Sequence, residues 1–217
     1  QYLCRECGAT LLVDVAHDLG AMGPGGSGAI GAQGMLGKID IVMGAFSKTF
    51  ASNGGFVATN SRAVKEYLRF YSPSCTFTNA LSPVQVAIVS KALEIVRSAE
   101  GAQLRRDLME NILSLRTQLK DRGMDFYGDP SAIVAVKTGD EALARMTARA
   151  LPDVGLIANL VEFPAVGKGL ARFRMQVMAT HSDDEVTAAA DKMGAAMRIA
   201  QARLDAGYDE MPLRAAV

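Results

Sequence analysis

Short apolar runs without helical spacing mark the first part of the chain. Residues 9–16 (ATLLVDVA) form a continuous apolar run, and further runs follow at 39–46 (IDIVMGAF) and 55–59 (GFVAT). Unbroken apolar runs of this length between turn residues are typical of strands in a buried parallel sheet. The pattern therefore predicts three strands of one sheet, and the first of them is expected to be a buried parallel strand.

Helical spacing of apolar residues follows in the middle of the chain. Ser82 and Pro83 form a helix start signal, and apolar residues then recur every three or four positions to about residue 99. The same spacing continues through a charged stretch and predicts a long amphipathic helix over residues 103–121. Gly123 is expected to end this helix.

The remaining residues alternate between short apolar runs and helical patterns. Strands are predicted at 132–136, 156–163 and 173–179, with a helix at 140–150 between the first two. A last helix, to about residue 204, is expected to begin at Ser182, because S-D-D-E has the form of a capping box. This mixture predicts a small α+β domain.

Composition narrows the class of protein. The 217 residues are 49% hydrophobic, and 23 Lys and Arg balance 23 Asp and Glu. A net charge of zero provides no field to hold nucleic acid or an anionic membrane, so we expect small molecules or protein chains as partners. No apolar stretch approaches the roughly 20 residues that span a bilayer, and an odd number of cysteines fits a reducing compartment. The protein is therefore expected to be cytoplasmic.

The first eight residues resemble the end of a helix. They finish at Gly8 without a start signal before them, so further sequence is expected upstream. Cys4 and Cys7 form C-x-x-C, which is the spacing of a redox pair or half a zinc site. No second C-x-x-C follows, and His17 and His181 are the only histidines. We therefore interpret both cysteines as small apolar helix residues, and no metal site is predicted.

The candidate chemistry lies in the first 83 residues. Asp14, His17, Ser47, Lys48 and Thr78 fall at strand ends or on loops, where α/β sheets bind ligands. D-x-x-H closing one apolar strand and S-K closing another match what a pyridoxal-phosphate (PLP) site requires. PLP needs an amine to form its imine, and a carboxylate beside the ring nitrogen keeps that nitrogen protonated so that the ring accepts an electron pair.

Four segments of the chain resemble one enzyme family. DVAHDLGAMGPGGSG (14–28) and DIVMGAFSKTFASNGGFVATN (40–60) are similar to the signature of the α-oxoamine synthases. FTNALSP (77–83) and GKGLARFRMQVMATHSDDEV (167–186) extend the similarity over nearly the whole chain. This family comprises fold-type I PLP enzymes and includes serine palmitoyltransferase, glycine C-acetyltransferase, aminooxononanoate synthase and aminolevulinate synthase.

The resemblance implies an α/β fold that corresponds to the C-terminal part of these enzymes. Residues 1–100 are expected to be the C-terminal part of the PLP-binding large domain, a mostly parallel sheet with helices. Residues 101–217 are expected to be the small C-terminal α+β domain, with the long linking helix at its start.

The resemblance also implies a role for each candidate residue. Lys48 is expected to carry PLP as a Schiff base, Asp14 to pair with the pyridinium nitrogen, and His17 to bond the cofactor's O3′. Ser47 is expected to contact the phosphate. Thr78 matches a position whose hydroxyl reaches the phosphate of the neighbouring subunit's cofactor, which implies a homodimer with the active site at the subunit interface.

One further residue matches the family pattern, and two residues differ from it. Arg174, the second arginine of A-R-F-R, is expected to bind the carboxylate of the amino acid substrate through its planar fork. Ala45 stands where many members have a threonine that helps to hold the phosphate. Ser27 stands where the family usually has an arginine between two glycines.

The implied reaction condenses an amino acid, serine or glycine, with an acyl-CoA to give an α-amino ketone, CoA and CO2. Freed Lys48 is the natural base for the Cα proton. In the segment FTNALSP, the asparagine is closer to the sequence of glycine C-acetyltransferases, whereas L-S-P is closer to that of serine palmitoyltransferases. Glycine with a short acyl-CoA and serine with a long acyl-CoA therefore both stay open as substrate pairs.

Three alternatives remain. The same cofactor residues would serve another fold-type I reaction such as aminotransfer, or the chain could be a noncatalytic subunit of a synthase complex. GPGGSG (23–28) also fits G-x-G-x-x-G of nucleotide-binding oxidoreductases. That match is weak, because the loop begins several residues after its strand and no helical period follows it.

Overall fold

The computed structural model describes residues 1–207, and the chain separates into two units. The first unit is Gln1–Arg105 and the second begins at Arg106. Residues 208–217 belong to the predicted small domain, but they lie outside the described residues. Each unit has its own sheet and its own buried side chains.

A three-stranded sheet forms the centre of the first unit. Its strands are β1 (Leu12–Asp14), β2 (Ile41–Ala45) and β3 (Gly55–Thr59), in the order β1-β2-β3. β1 pairs with β2 in parallel, and β2 pairs with β3 antiparallel. The prediction of three strands in one sheet is confirmed. A short reversal of the chain joins β2 to β3 and makes that pair antiparallel. The mostly parallel sheet is predicted for the whole large domain, which these three strands alone do not test.

Only one face of this sheet is covered in the first unit. Val15, Ile30 and Ile39 are buried there, and six half-buried apolar residues pack around them: Leu11, Val13, Leu19, Met35, Val42 and Phe56. The opposite face leaves Leu12 and Val57 about half exposed. The expectation that β1 is a buried strand is therefore wrong, since its outward side chains have no cover within residues 1–207.

The first unit contains five α-helices among its described residues. They are α1 (Tyr2–Glu6), α2 (Gly28–Ala32), α3 (Arg62–Tyr71), α4 (Pro73–Thr76) and α5 (Pro83–Arg97). α5 begins as predicted, because the side chain of Ser82 accepts from Gln85 N and the Gln85 side chain accepts from Ser82 N. α2 corrects the expectation that no helix follows the glycine-rich loop. α3 and α4 were not predicted.

Helix α6 (Ala99–Asp121) connects the two units along the chain. It begins four residues before the predicted start and ends as predicted, with Gly123 at a φ of +76°. Ile112 and Leu119 on this helix are fully buried. Among the helices of residues 1–207, none combines the length and the apolar character needed to cross a membrane.

A four-stranded antiparallel sheet forms the second unit. Its strands are β4 (Phe126–Tyr127), β5 (Ile133–Gly139), β6 (Asn159–Val161) and β7 (Ala171–Gln176), in the order β4-β5-β7-β6. Helices α7 (Glu141–Ala150) and α8 (Asp183–Asp205) pack against each other beside it. Val134, Val136 and Phe173 are fully buried on one face. The strand and helix predictions for this region are confirmed, with boundaries that differ by a few residues.

An ion pair between Arg122 and α8 is expected to make the stability of the second unit depend on pH. The guanidinium of Arg122, just after α6, donates to Asp191 at 2.7 Å, and this hydrogen bond holds the pKa of the Asp191 carboxyl below its usual range. A carboxyl whose pKa is lower in the folded state than in the unfolded state stabilises the fold at pH values above its unfolded pKa of about 4. This stabilisation is lost as the pH falls through the folded-state pKa. We expect Asp191→Asn to lower the melting temperature at pH 7 by about 1–4 °C.

The same comparison at low pH tests the cause. Below the folded-state pKa of Asp191 the wild-type carboxyl is protonated, so the difference in melting temperature between the two proteins is expected to shrink as the pH falls below about 4. Asp129→Asn, at an exposed position on the loop after β4, provides the matched control and is expected to change neither value. A gap that persists unchanged at low pH would contradict the ion-pair explanation.

Candidate active site

The polar residues of the first sheet gather at one edge. β1 and β2 are parallel, so Asp14 at the end of β1 and Ser47-Lys48 after β2 lie at the same edge of the sheet. β3 begins at this edge too, because Gly55 is opposite Ala45 in the antiparallel pair. The carboxyl edge of parallel strands is where α/β sheets bind ligands.

Asp14 is exposed and uses one carboxylate oxygen to hold the turn that follows it. Its Oδ1 accepts from Ala16 N at 2.8 Å. Its Oδ2 accepts no hydrogen bond from residues 1–207, so this oxygen is available to a ligand. His17 follows in the same turn and is also exposed.

The glycine-rich segment after His17 folds back on itself. Gly20 N donates to Gly26 O at 2.7 Å, and Gly28 N donates to Met22 O at 2.8 Å. Asp18 closes the loop by accepting from Ala29 N at 2.6 Å. A Cβ on Gly28 would lie 2.8 Å from the Asp18 carboxylate. The close approach of the Asp18 side chain, together with the φ of +68° at Gly28, thus explains why glycine occupies this position.

The loop that carries Ser47 and Lys48 is short and anchored at both ends. Phe46 N donates to Gly54 O at 2.9 Å, and Ser52 N donates to Phe46 O at 2.8 Å. Phe50 is buried, and its ring meets the Phe46 ring edge to face at 5.7 Å. Ser47 and Lys48 themselves are exposed. The aromatic anchor therefore holds the backbone while it leaves the lysine amine outside the core.

Lys48 has an amine without a partner in the described chain. Its Nζ makes no hydrogen bond and no ion pair with any of residues 1–207, whereas its carbonyl accepts from Ala51 N at 2.9 Å. Ala51 has a φ of 49°, in the left-handed region that is uncommon for residues other than glycine. Such strained positions concentrate at functional sites.

Thr78 and Arg174 lie on other segments. Thr78 is exposed in the stretch after α4, and its hydroxyl donates to Ser74 O at 2.5 Å. Arg174 belongs to the second unit, in the middle of β7, where Ala135 of β5 and Asn159 of β6 are its cross-strand neighbours. The first sheet thus brings together four of the six predicted residues, namely Asp14, His17, Ser47 and Lys48.

The two departures from the family pattern have ordinary local roles. Ala45 is the last residue of β2 and is half-buried opposite Gly55. The Ser27 hydroxyl donates to Pro24 O at 2.6 Å, and its Oγ lies where a Cβ on Gly31 would fall. Ser27 therefore closes the glycine-rich turn.

Sequence reasoning missed the residues that support the lysine loop. Phe46, Phe50 and Gly54 are the clearest of these. Gly54 has a φ of +86°, and a Cβ there would lie 2.6 Å from a methyl of Leu81. The glycine pair at 54–55, between two strands, was the available signal for a close backbone approach.

Comparison with known proteins agrees with the motifs. A model of the aminotransferase class I and II family matches residues 2–193. The chain belongs to this family.

The α-oxoamine synthases are the relatives within the family. An 8-amino-7-oxononanoate synthase of Pelobacter propionicus is 35% identical, and the alignment covers 88% of this chain and 49% of that protein. A 2-amino-3-ketobutyrate coenzyme A ligase of Salmonella typhimurium is 35% identical over 87% of this chain and 47% of that protein. The predicted membership of the α-oxoamine synthase family is confirmed.

A solved relative shows the same fold. The serine palmitoyltransferase of S. paucimobilis with a bound PLP-myriocin aldimine is 33% identical and superposes with a TM-score of 0.81. The superposition covers 93% of this chain and 50% of that chain. The α-oxoamine synthase chain is thus mixed α/β, and it spans about half the length of the relatives that it matches.

Proposed function

We propose that this protein is a PLP-dependent α-oxoamine synthase, which condenses serine or glycine with an acyl-CoA and releases CoA and CO2. The observation that supports it best is the placement of Lys48 and Asp14 at one sheet edge, each with a polar group that no described residue uses. The names of the relatives support the same reaction class.

The residues at this edge fit PLP. A free amine suits the aldehyde of PLP, a free carboxylate oxygen suits its ring N–H, and the hydroxyl of Ser47 suits its phosphate. When bound, PLP supplies the electron sink that stabilises the negative charge left at the amino acid's Cα. The four residues gathered at the edge are the ones proposed to hold it.

Each residue then has a chemical task. Lys48 would hold the cofactor through its amine, and the same amine, when free, would take the Cα proton. Asp14 holds the proton on the ring nitrogen, because a carboxylate within hydrogen-bond reach favours the charged form. His17 bonds the cofactor's O3′. Arg174 presents a planar pair of N–H donors to the carboxylate of the amino acid.

The quaternary and domain assignments follow the same proposal. We assign residues 1–100 to the C-terminal part of a PLP-binding large domain and 101–217 to a small C-terminal domain. Thr78 is proposed to reach the cofactor phosphate of a second subunit, which makes the enzyme a homodimer. The three cysteines Cys4, Cys7 and Cys75 are all free, in agreement with the proposed cytoplasmic location.

A substrate panel tests the proposed reaction. Full-length protein with PLP is assayed with glycine, serine and alanine, each paired with a short-chain and a long-chain acyl-CoA, and released CoA and CO2 are measured. We expect one pairing to release CoA far faster than the others. Transfer of the amino group to an oxo acid without CoA release would favour an aminotransferase, and inactivity with every pairing would favour a noncatalytic subunit.

A further inference from the structure

A cluster of half-buried cations lies on one face of the second sheet. Lys137 of β5 and Arg172 of β7 are direct cross-strand partners in the antiparallel ladder. Both side chains lie over the ring of Tyr127, with Lys137 Nζ 4.7 Å and Arg172 Cζ 4.0 Å from its centroid. The cluster of Lys137, Arg172 and Tyr127 is called the cation shelf below.

The cation shelf shares its face with Arg174. Arg172 and Arg174 are two residues apart on β7, so their side chains point to the same face, about 7 Å apart along the strand. Tyr127 pairs with Ala135, which pairs with Arg174, so the ring also belongs to this face. The other face carries the buried Phe173.

The positive charge of the shelf is only partly compensated. Asp125 pairs with Lys137 at 2.6 Å, and the hydrogen bond from Lys137 lowers the pKa of the Asp125 carboxyl. Arg172 has no ion pair within residues 1–207, and its Nε donates to Leu170 O at 3.0 Å. Like charges directly opposite each other on neighbouring strands destabilise a sheet. An anion seated between Lys137 and Arg172 would relieve this repulsion.

We propose that the cation shelf is an anion subsite that holds an oxyanion of the acyl-CoA substrate, beside the place where Arg174 binds the amino acid. This inference rests on the proposed function. The guanidinium of one arginine is enough to bind a single carboxylate through two parallel hydrogen bonds. If Arg174 binds the carboxylate of the amino acid, Arg172, two residues away on β7, is therefore free to bind a different anionic group. Acyl-CoA offers two such groups, the phosphates of CoA and a carboxylate at the far end of the acyl chain.

Arg172→Gln tests the subsite in the full-length enzyme with four acyl donors of one chain length. Two are CoA thioesters whose acyl chains end in a methyl or in a carboxylate, and two are the corresponding pantetheine thioesters, which lack the phosphates. We expect kcat/KM to fall roughly ten- to a hundredfold for the donors that carry the recognised anion. The pantetheine thioester with a methyl end is expected to be unaffected.

The arms of the experiment identify the anion. A loss confined to both CoA thioesters assigns the shelf to a phosphate, and a loss confined to both carboxylated donors assigns it to the acyl chain. Arg172→Lys keeps the charge and is expected to retain most of the activity that Arg172→Gln loses. Arg203→Gln, which removes a surface cation paired with Asp153 elsewhere in the second unit, is the matched control.

A binding measurement separates this proposal from the proposed function. Calorimetry with free CoA and with pantetheine is performed on wild type and on Arg172→Gln. If wild type neither binds nor releases CoA, the proposed function fails and the subsite fails with it. If wild type turns over but Arg172→Gln keeps full activity with all four donors, or loses activity equally with all four, the subsite alone is overturned.

Discussion

Lys48→Ala is expected to lower turnover of the full-length enzyme by at least about a thousandfold. The substitution removes both the amine that binds PLP and the proposed base for the Cα proton, and a single general base contributes about 10²- to 10⁴-fold by itself. Folding should be unaffected, because the Lys48 side chain is exposed and the loop is held by Phe46 and Phe50. The measurement is CoA release with the best substrate pair, together with the melting temperature.

Two other lysines of the first unit provide the controls. Lys38→Ala and Lys65→Ala are expected to leave turnover within about twofold, because neither residue lies at the sheet edge that carries Asp14; Lys38 precedes β2 and Lys65 lies on α3. Borohydride reduction of the PLP-loaded protein, followed by peptide mapping, is expected to label Lys48. Label at Lys38 or Lys65 would reassign the cofactor, even if Lys48→Ala were inactive.

The edge location of the site follows from sequence patterns alone. Asp14 and Lys48 each close a short apolar run, and parallel strands place their carboxyl ends together. Their short length and the turn residues on either side distinguish such runs from buried helices. The chemical roles of these residues remain proposals.

Burial could not be predicted in the same way. The run at residues 9–16 reads as a strand covered on both faces, but Leu12 and Val57 are exposed on one side of the sheet. An apolar pattern shows which side chains favour burial, whereas burial itself depends on other elements that supply the cover. Sequence periodicity contains no information about which elements those are.

Some of the missed structure did have a signal. Helix α3 has Ser61 as its N-cap, with the side chain accepting from Val64 N, and its apolar residues Val64, Leu68 and Tyr71 keep helical spacing. The support of the lysine loop by Phe50 had no signal in the sequence, because it depends on contacts between side chains whose spacing follows neither helical nor strand periodicity. Long-range packing of this kind is decided by the tertiary fold.

The cation shelf illustrates the limit of motif reasoning. The resemblance of A-R-F-R to the family motif implies Arg174 as the proposed substrate contact, and strand alternation puts Arg172 on the same face. The pairing of Arg172 with Lys137 depends on the register between β7 and β5, which are separated in sequence by α7 and β6. Only the sheet topology reveals that these two cations face each other.

Asp14→Asn is expected to reduce kcat at least about a hundredfold without loss of stability. The Oδ1 of Asp14 accepts from Ala16 N, and an asparagine oxygen can keep that bond, so the turn after β1 is preserved. The charge is lost, however, and an amide does not hold the proton on the ring nitrogen as a carboxylate does. A contribution of this size is typical when one preorganised electrostatic contact to the reacting group is removed.

Asp14→Ala separates the two functions of this side chain. It removes the charge and the hydrogen bond from Ala16 N, so we expect the same loss of kcat as in Asp14→Asn together with a fall in melting temperature. The absorbance of bound PLP should also change with pH in both variants, because the ring nitrogen then loses its proton within the working range. If Asp14→Asn retained full kcat and an unchanged PLP spectrum, Asp14 would be a turn residue and another acid would have to protonate the cofactor.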